Sequence, residues 1–259
     1  MNAGPQARPV DQVAKEETLS WAMTKGMTPT ATSRSWENCE VVRTGRRIQA
    51  LEAFLSTANL RLAHTKPPPP RMDSLTSEWV ERVHLLYREL GGREPTPVLR
   101  PGPWDLALSD GLVIELDEEL HFNRYRGVTL SSEWTEALPW HDNYVAFGRT
   151  RETECLSGGQ WGKRWTNQSC ERMFGLADPP GVLGEWGAPR WKQRALYDAL
   201  KDAYVVAGLG PPLARVSIYD SVGETAMAAV VDGAASVEPD VIITWLAHRT
   251  FQPSDPEPR

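Results

Sequence analysis

The sequence predicts a single α/β domain. Three observations carry this. An alternating, partly acidic hairpin, WDLALSDGLVIELDEELHF, runs from Trp104 to Phe122. Two segments of helical period lie on either side of it, Ser77 to Leu90 and Ala188 to Gly208. A second alternating segment, ARVSIYD, follows the later helix at Ala214 to Asp220.

Composition sets the frame for function. The chain has 259 residues, 41% hydrophobic and 24% charged, with a net charge of −6 and a pI near 5.5. That is long enough for one large domain with extensions. The acidic balance argues against a protein living on non-specific phosphate binding, though a local basic patch matters more than the sum. Three cysteines, Cys39, Cys155 and Cys170, make no CxxC pair, so neither a disulfide framework nor a close-spaced zinc site is expected. The first twenty residues lack the apolar core of a signal peptide, and no apolar run approaches the ~18 residues of a membrane span. The expectation is a cytoplasmic protein. There is no GxxxxGK[ST], GxSxG or HExxH motif.

Residues 1–45 are polar and read as a disordered extension, with the domain at 46–250 and a loose tail at 251–259. Arg47 to Ala63 has helical spacing, and the proline run Lys66 to Arg71 cannot continue it. In the helix from Ser77, Trp79, Val80, Val83, Leu86, Tyr87 and Leu90 form one apolar face, and Gly91-Gly92 ends it. Residues 127–187 form an irregular, Trp-rich insertion, with short helices around 132–137 and 166–174. In the helix from Ala188, Pro189 suits the first turn and Gly208 the end. Ser221 and Glu224 fit a capping box, and Val241 to Ala247 reads as a strand or a buried helix.

The hairpin fixes its own register. Ser109-Asp110-Gly111 suits a three-residue loop with Gly111 left-handed. Leu106 then opposes Ile114 and Asp105 opposes Glu115. Trp104, Leu106, Leu108, Leu112, Ile114 and Leu116 share one apolar face. Asp105, Ala107, Val113, Glu115 and Asp117 share the other. A two-residue loop would mix the faces, and a one-residue slip turns every side chain over. Asp105 and Glu115 become cross-strand neighbours with β-carbons roughly 4.5–5.5 Å apart. Like charges so placed repel, and Asp117 adds to them. A hard divalent cation, Mg²⁺ or Mn²⁺, held by Asp105, Glu115 and Asp117 would turn repulsion into binding. The plainer alternative is a solvated acidic face.

These residues resemble the PD-(D/E)XK nuclease superfamily, whose restriction-endonuclease-like fold, implied here by the resemblance, has a mixed central sheet flanked by helices and binds Mg²⁺ through an Asp on one strand and an acid on the next. Asp105 and Glu115 match those positions, and Asp117 stands where a Lys is expected. The stretch Glu115 to His121 is similar to the E-x-D-G-x-x-H variant of very short patch repair endonucleases, with Glu118 for the Gly and His121 one residue late. RPGPWDLAL, ELDEELHFNRYR and GAPRWKQRALYDALKD also resemble a bacterial family of unknown function. The nuclease resemblance implies cleavage of nucleic acid, DNA before RNA, by metal-activated water. It allows the missing Lys to come from a following helix. Lys192, on the apolar arc with Leu196, Ala199, Leu200 and Ala203, is the expected stabiliser of developing charge. His121 is the expected base or phosphate contact. Arg190 and Arg194, on the opposite arc with Lys201, and Arg124 are the expected nucleic-acid contacts. Glu78 and Glu81 have no assigned role. An inactive member of the fold, serving as a binding scaffold, is the alternative.

Overall fold

The computed structural model describes residues 45–253. The expected disorder of residues 1–44, Cys39, and the end of the tail from residue 254 lie outside the described residues.

A mixed sheet organises the described chain. Its order is β1 (Leu106–Ala107), β2 (Val113–Asp117), β3 (Leu213–Ser217) and β6 (Thr250–Phe251). β1 and β2 are antiparallel, β2 and β3 parallel, and β3 and β6 antiparallel. Leu106 opposes Ile114 and Ala107 opposes Val113, the register read from the sequence. Gly111 has φ +97°, and its N–H donates to Leu108 O at 3.1 Å, closing the three-residue loop. A small second sheet pairs β4 (Ser221–Val222) with β5 (Thr225–Ala226). Ser221 therefore begins a strand rather than capping a helix. Phe251, assigned to the loose tail, is held opposite Leu213.

One sheet face packs on α1 (Arg46–Thr57), α8 (Met227–Val231) and α9 (Pro239–His248). Leu106, Ile114, Leu116, Ala214 and Val216 meet Leu51, Leu55, Val230, Ile242 and Leu246 there. α9 thus resolves the ambiguity of the 241–247 segment in favour of helix. The other face meets α7 (Pro189–Val206), which links β2's side of the chain to β3 as the crossover helix. Val113, Ala107 and Leu213 pack there with Val205, Phe122, Trp140 and Tyr144. Trp104 joins this second cluster, not the first, because it precedes the paired residues of β1 and is free of the strand alternation.

The expected irregular insertion is largely helical: α3 (Arg124–Thr129), α4 (His141–Thr150), α5 (Glu152–Gly159) and α6 (Gln168–Phe174). Asn123 and Asn167 cap α3 and α6 through their side chains, and Gly175 stops α6 at φ +88°. α7 is consequently covered on two sides. Leu196, Ala199, Leu200 and Ala203 meet Val83, Leu86 and Tyr87 of α2 (Ser77–Glu89) and Met173 and Phe174 of α6. Its opposite side meets the sheet.

Candidate functional site

The site lies between the acidic face of the sheet and α7. Period two puts Val113, Glu115 and Asp117 on one face of β2, and the parallel register brings Arg215 of β3 opposite Glu115. Helical spacing puts Asp198, Lys201 and Asp202 on the stripe of α7 that faces them. A short 3-10 turn, Glu119–His121, carries His121 over the strand end. Arg126 of α3 and Tyr144 of α4 close the side.

Each acid has its own surroundings. Lys201 Nζ donates to both oxygens of Glu115 at 2.8 Å and to Pro103 O at 3.1 Å. Those three acceptors match the three protons of an ammonium. The Trp104 ring lies 5.0 Å from the same Nζ. Asp117 accepts from Arg215 Nη1 at 3.0 and 2.8 Å and from the Tyr144 hydroxyl at 2.8 Å. Arg215, fully buried, also donates through Nε to Asp202 at 2.7 Å and through Nη2 to the Asp198 carbonyl at 3.2 Å. Arg126 Nη2 holds the other Asp202 oxygen at 2.6 Å. Asp105 differs: it is only partly buried and forms no ion pair among the described residues. Its Oδ2 accepts from Leu116 N at 2.9 Å, while its own N–H donates to Glu115 Oε1 at 3.2 Å.

His121 Nδ1 stands 3.0 Å from Asp117 Oδ1 and 2.9 Å from Asp198 Oδ2. One ligand atom from each of the three residues lies within 4.8 Å of the others, and this buried Asp–His–Asp group is able to hold a metal ion. Of the expected set of Asp105, Glu115 and Asp117, Asp117 belongs to this group, Lys201 binds both oxygens of Glu115, and His121 and Asp198 close on Asp117.

The electrostatics follow from burial and pairing. Burial pushes Glu115 up to about 7, against the pull of Lys201 and with the help of Asp105. Burial also raises Asp105, opposed by the Leu116 N–H. For Asp117 and Asp198 burial is outweighed by the neighbouring cations. Arg215 and His121 hold Asp117 below its ordinary value, and His121 and Arg215 do the same for Asp198. Burial disfavours a charged His121, but Asp198 and Asp117 overcome it and raise its pKa. Its side chain keeps 20% exposure, so the group has an opening to solvent.

The other expected site residues fall elsewhere. Lys192 does not reach the acids. It lies nine positions before Lys201, half a turn around the helix at ~100° per residue, and its Nζ sits 5.5 Å from the Tyr125 ring. Lys201, assigned to the outward polar arc, is the buried partner of Glu115, because α7 is covered on both sides. Arg194 is drawn inward, its Nη1 donating to Leu120 O at 3.3 Å. Arg190 bonds Gln193 on its own helix. Arg124 is occupied by Glu152, at 2.9 and 2.7 Å. Glu78 and Glu81 make surface pairs with Arg82 and Arg88.

The family model that the sequence matches covers residues 85–235, which include β1, β2, β3, α7 and the insertion between them. The chain belongs to a family of unknown function (DUF7255). No curated protein and no solved structure matches. The match contains every residue of the buried site. No helix among the described residues is long and apolar enough to cross a membrane.

Proposed function

We propose that this family member is a metal-dependent phosphodiesterase of nuclease type on a restriction-endonuclease-like fold. The observation that carries the reading is His121 bridging Asp117 and Asp198 beside the unpaired Asp105. The order of parts supports it: an acidic hairpin, a crossover helix and a parallel strand, with Asp105 and Glu115 opposed across the hairpin.

The donor set fits a divalent cation. Two carboxylates and an imidazole suit Mn²⁺ and its neighbours as well as Mg²⁺. Asp117, His121 and Asp198 would hold it, with Asp105 as the adjoining open oxygen donor. When bound, such a cation supplies Lewis-acid charge stabilisation and lowers the pKa of water. Tyr144 and Arg215 orient Asp117, as outer partners of ligands do, and Arg215 Nη2 lies 3.6 Å from the Asp198 carboxylate. Lys201 keeps Glu115 in place and is a positioning residue.

The test is cleavage of DNA and RNA oligonucleotides with Mg²⁺ or Mn²⁺ by wild type, Asp105→Ala and His121→Ala. Loss of cleavage in both variants supports the site. Equal cleavage by all three would sink it. A second reading, a non-catalytic binding scaffold, is favoured by the saturated bonds of Lys201 and Arg215. Absence of both cleavage and Mn²⁺ binding in wild type would select it.

A further inference from the structure

Lys192 is 8% exposed and makes no hydrogen bond or ion pair among the described residues. An ammonium has three donors to satisfy, and leaving a buried charge unpaired is costly. The Tyr125 and Phe174 rings flank it at 5.5 and 6.0 Å. Gly91, left-handed at φ +83°, faces it, so that a side chain there would begin 3.4 Å from Nζ. The two-residue step to Arg93 brings a second cation. The Arg93 guanidinium lies over Gly175, the residue after Phe174, and stacks 4.7 Å from the Trp186 ring. Arg93 also makes no ion pair among the described residues. The nearby acid, Asp178, spends Oδ2 on the Trp186 and Gly187 N–H groups at 3.0 and 2.5 Å. Burial, and then Arg93, lower the pKa of Lys192. Two cations that feel one another thus share a single nearby acid, Asp178, with which neither forms an ion pair among the described residues, beside an aromatic ring that is 41% exposed.

We propose that Lys192 and Arg93 bind a phosphate group, with Trp186 as the wall for a ring attached to it. The compact ammonium supplies a point charge, the guanidinium a planar fork, and an exposed indole stacks on a base. The site deepens the phosphodiesterase reading, and rests on it only for the choice of a nucleic-acid phosphate over a free one.

Calorimetric titrations of wild type, Arg93→Gln and Lys192→Met with inorganic phosphate and with a short single-stranded oligonucleotide test this. Each substitution is expected to weaken phosphate binding about tenfold. Lys192→Met should not lower the unfolding midpoint, since it removes an unpaired buried charge, and exposed Arg93 serves as the variant whose folding is not at stake. A parallel loss of oligonucleotide binding identifies a polymer phosphate; loss with inorganic phosphate alone identifies a small one. No phosphate binding by wild type, or equal binding by Arg93→Gln, overturns the proposal. If wild type binds phosphate in this way but cleaves nothing, the phosphodiesterase reading falls and the site stands. If Asp105-dependent cleavage persists while Arg93→Gln binds phosphate normally, the site alone falls.

Discussion

Lys201 Nζ sits 2.8 Å from each oxygen of Glu115, in a place where neither group has more than a few per cent of its side chain exposed. Removing one partner of a buried pair strands the other, at a cost of ~3–5 kcal/mol. Lys201→Met is therefore expected to destabilise the protein by about that amount in urea unfolding. The double variant Lys201→Met/Glu115→Leu should recover most of the loss, since no charge is left unpaired. A double variant as unstable as the single one would show that the ion pair is not the cause.

Glu115 also makes stability depend on pH. Its folded pKa, about 7, lies above the ordinary value of 4.5. The folded state then binds the proton more tightly than the unfolded one. The contribution is fully present below about pH 4.5 and is lost as pH rises through about 7. At 1.36 kcal/mol per unit, the loss is on the order of 3 kcal/mol. His121 is raised too and acts in the same direction. Asp117 and Asp198 are lowered and act only in acid, losing their contribution as pH falls below the usual carboxylate range. Unfolding in the presence of a chelator should show falling stability from pH 5 to 8, and Glu115→Gln should flatten that slope. A slope unchanged by Glu115→Gln would remove Glu115 as its source.

Arg215 ties three acids together, Asp117, Asp198 and Asp202. Arg215→Met should leave buried carboxylates without a cation and cost more than any surface change, ~3–5 kcal/mol or loss of folding. Arg190→Gln, on the same helix, whose side chain bonds only Gln193 among the described residues, should fall within ~0.5 kcal/mol of wild type. Chemical denaturation of the two variants side by side decides this. Comparable losses would mean that Arg215 is not the centre of the network.

The hairpin was legible in the sequence because its pattern is local. Gly111, the apolar alternation and the opposed Asp105 and Glu115 need only neighbours within about twenty residues, and the register follows. The cations were not legible in that way. Arg215 sits in a strand whose partner is 98 residues away from it in the Asp117 contact. Lys201, Asp198 and Asp202 look like an outward polar stripe until the sheet covers that side of α7. Lys192 lies apart from the acids for the matching reason: its apolar arc faces α2 and α6, not the sheet. An Arg in a strand interior following an acidic strand was the one signal that pointed to compensation. The type of α9 was settled only by its packing on the sheet face, where Ile242 and Leu246 are buried.

The metal reading is separable from the stability of the network. His121 is part-exposed, and its Nδ1 is shared by Asp117 and Asp198. One Nδ1 proton stands between two carboxylate oxygens, and a cation ligated by all three groups would take its place. Mn²⁺ titration followed by electron paramagnetic resonance should show one bound ion in wild type and at least a tenfold weaker site in His121→Ala, since even the loss of an outer partner of a ligand costs about tenfold. Asp105→Asn should bind Mn²⁺ with a smaller loss, since Asp105 lies outside the Asp–His–Asp group. Equal Mn²⁺ affinity in wild type and His121→Ala would place any bound ion elsewhere and leave the imidazole with only its bridging hydrogen bond.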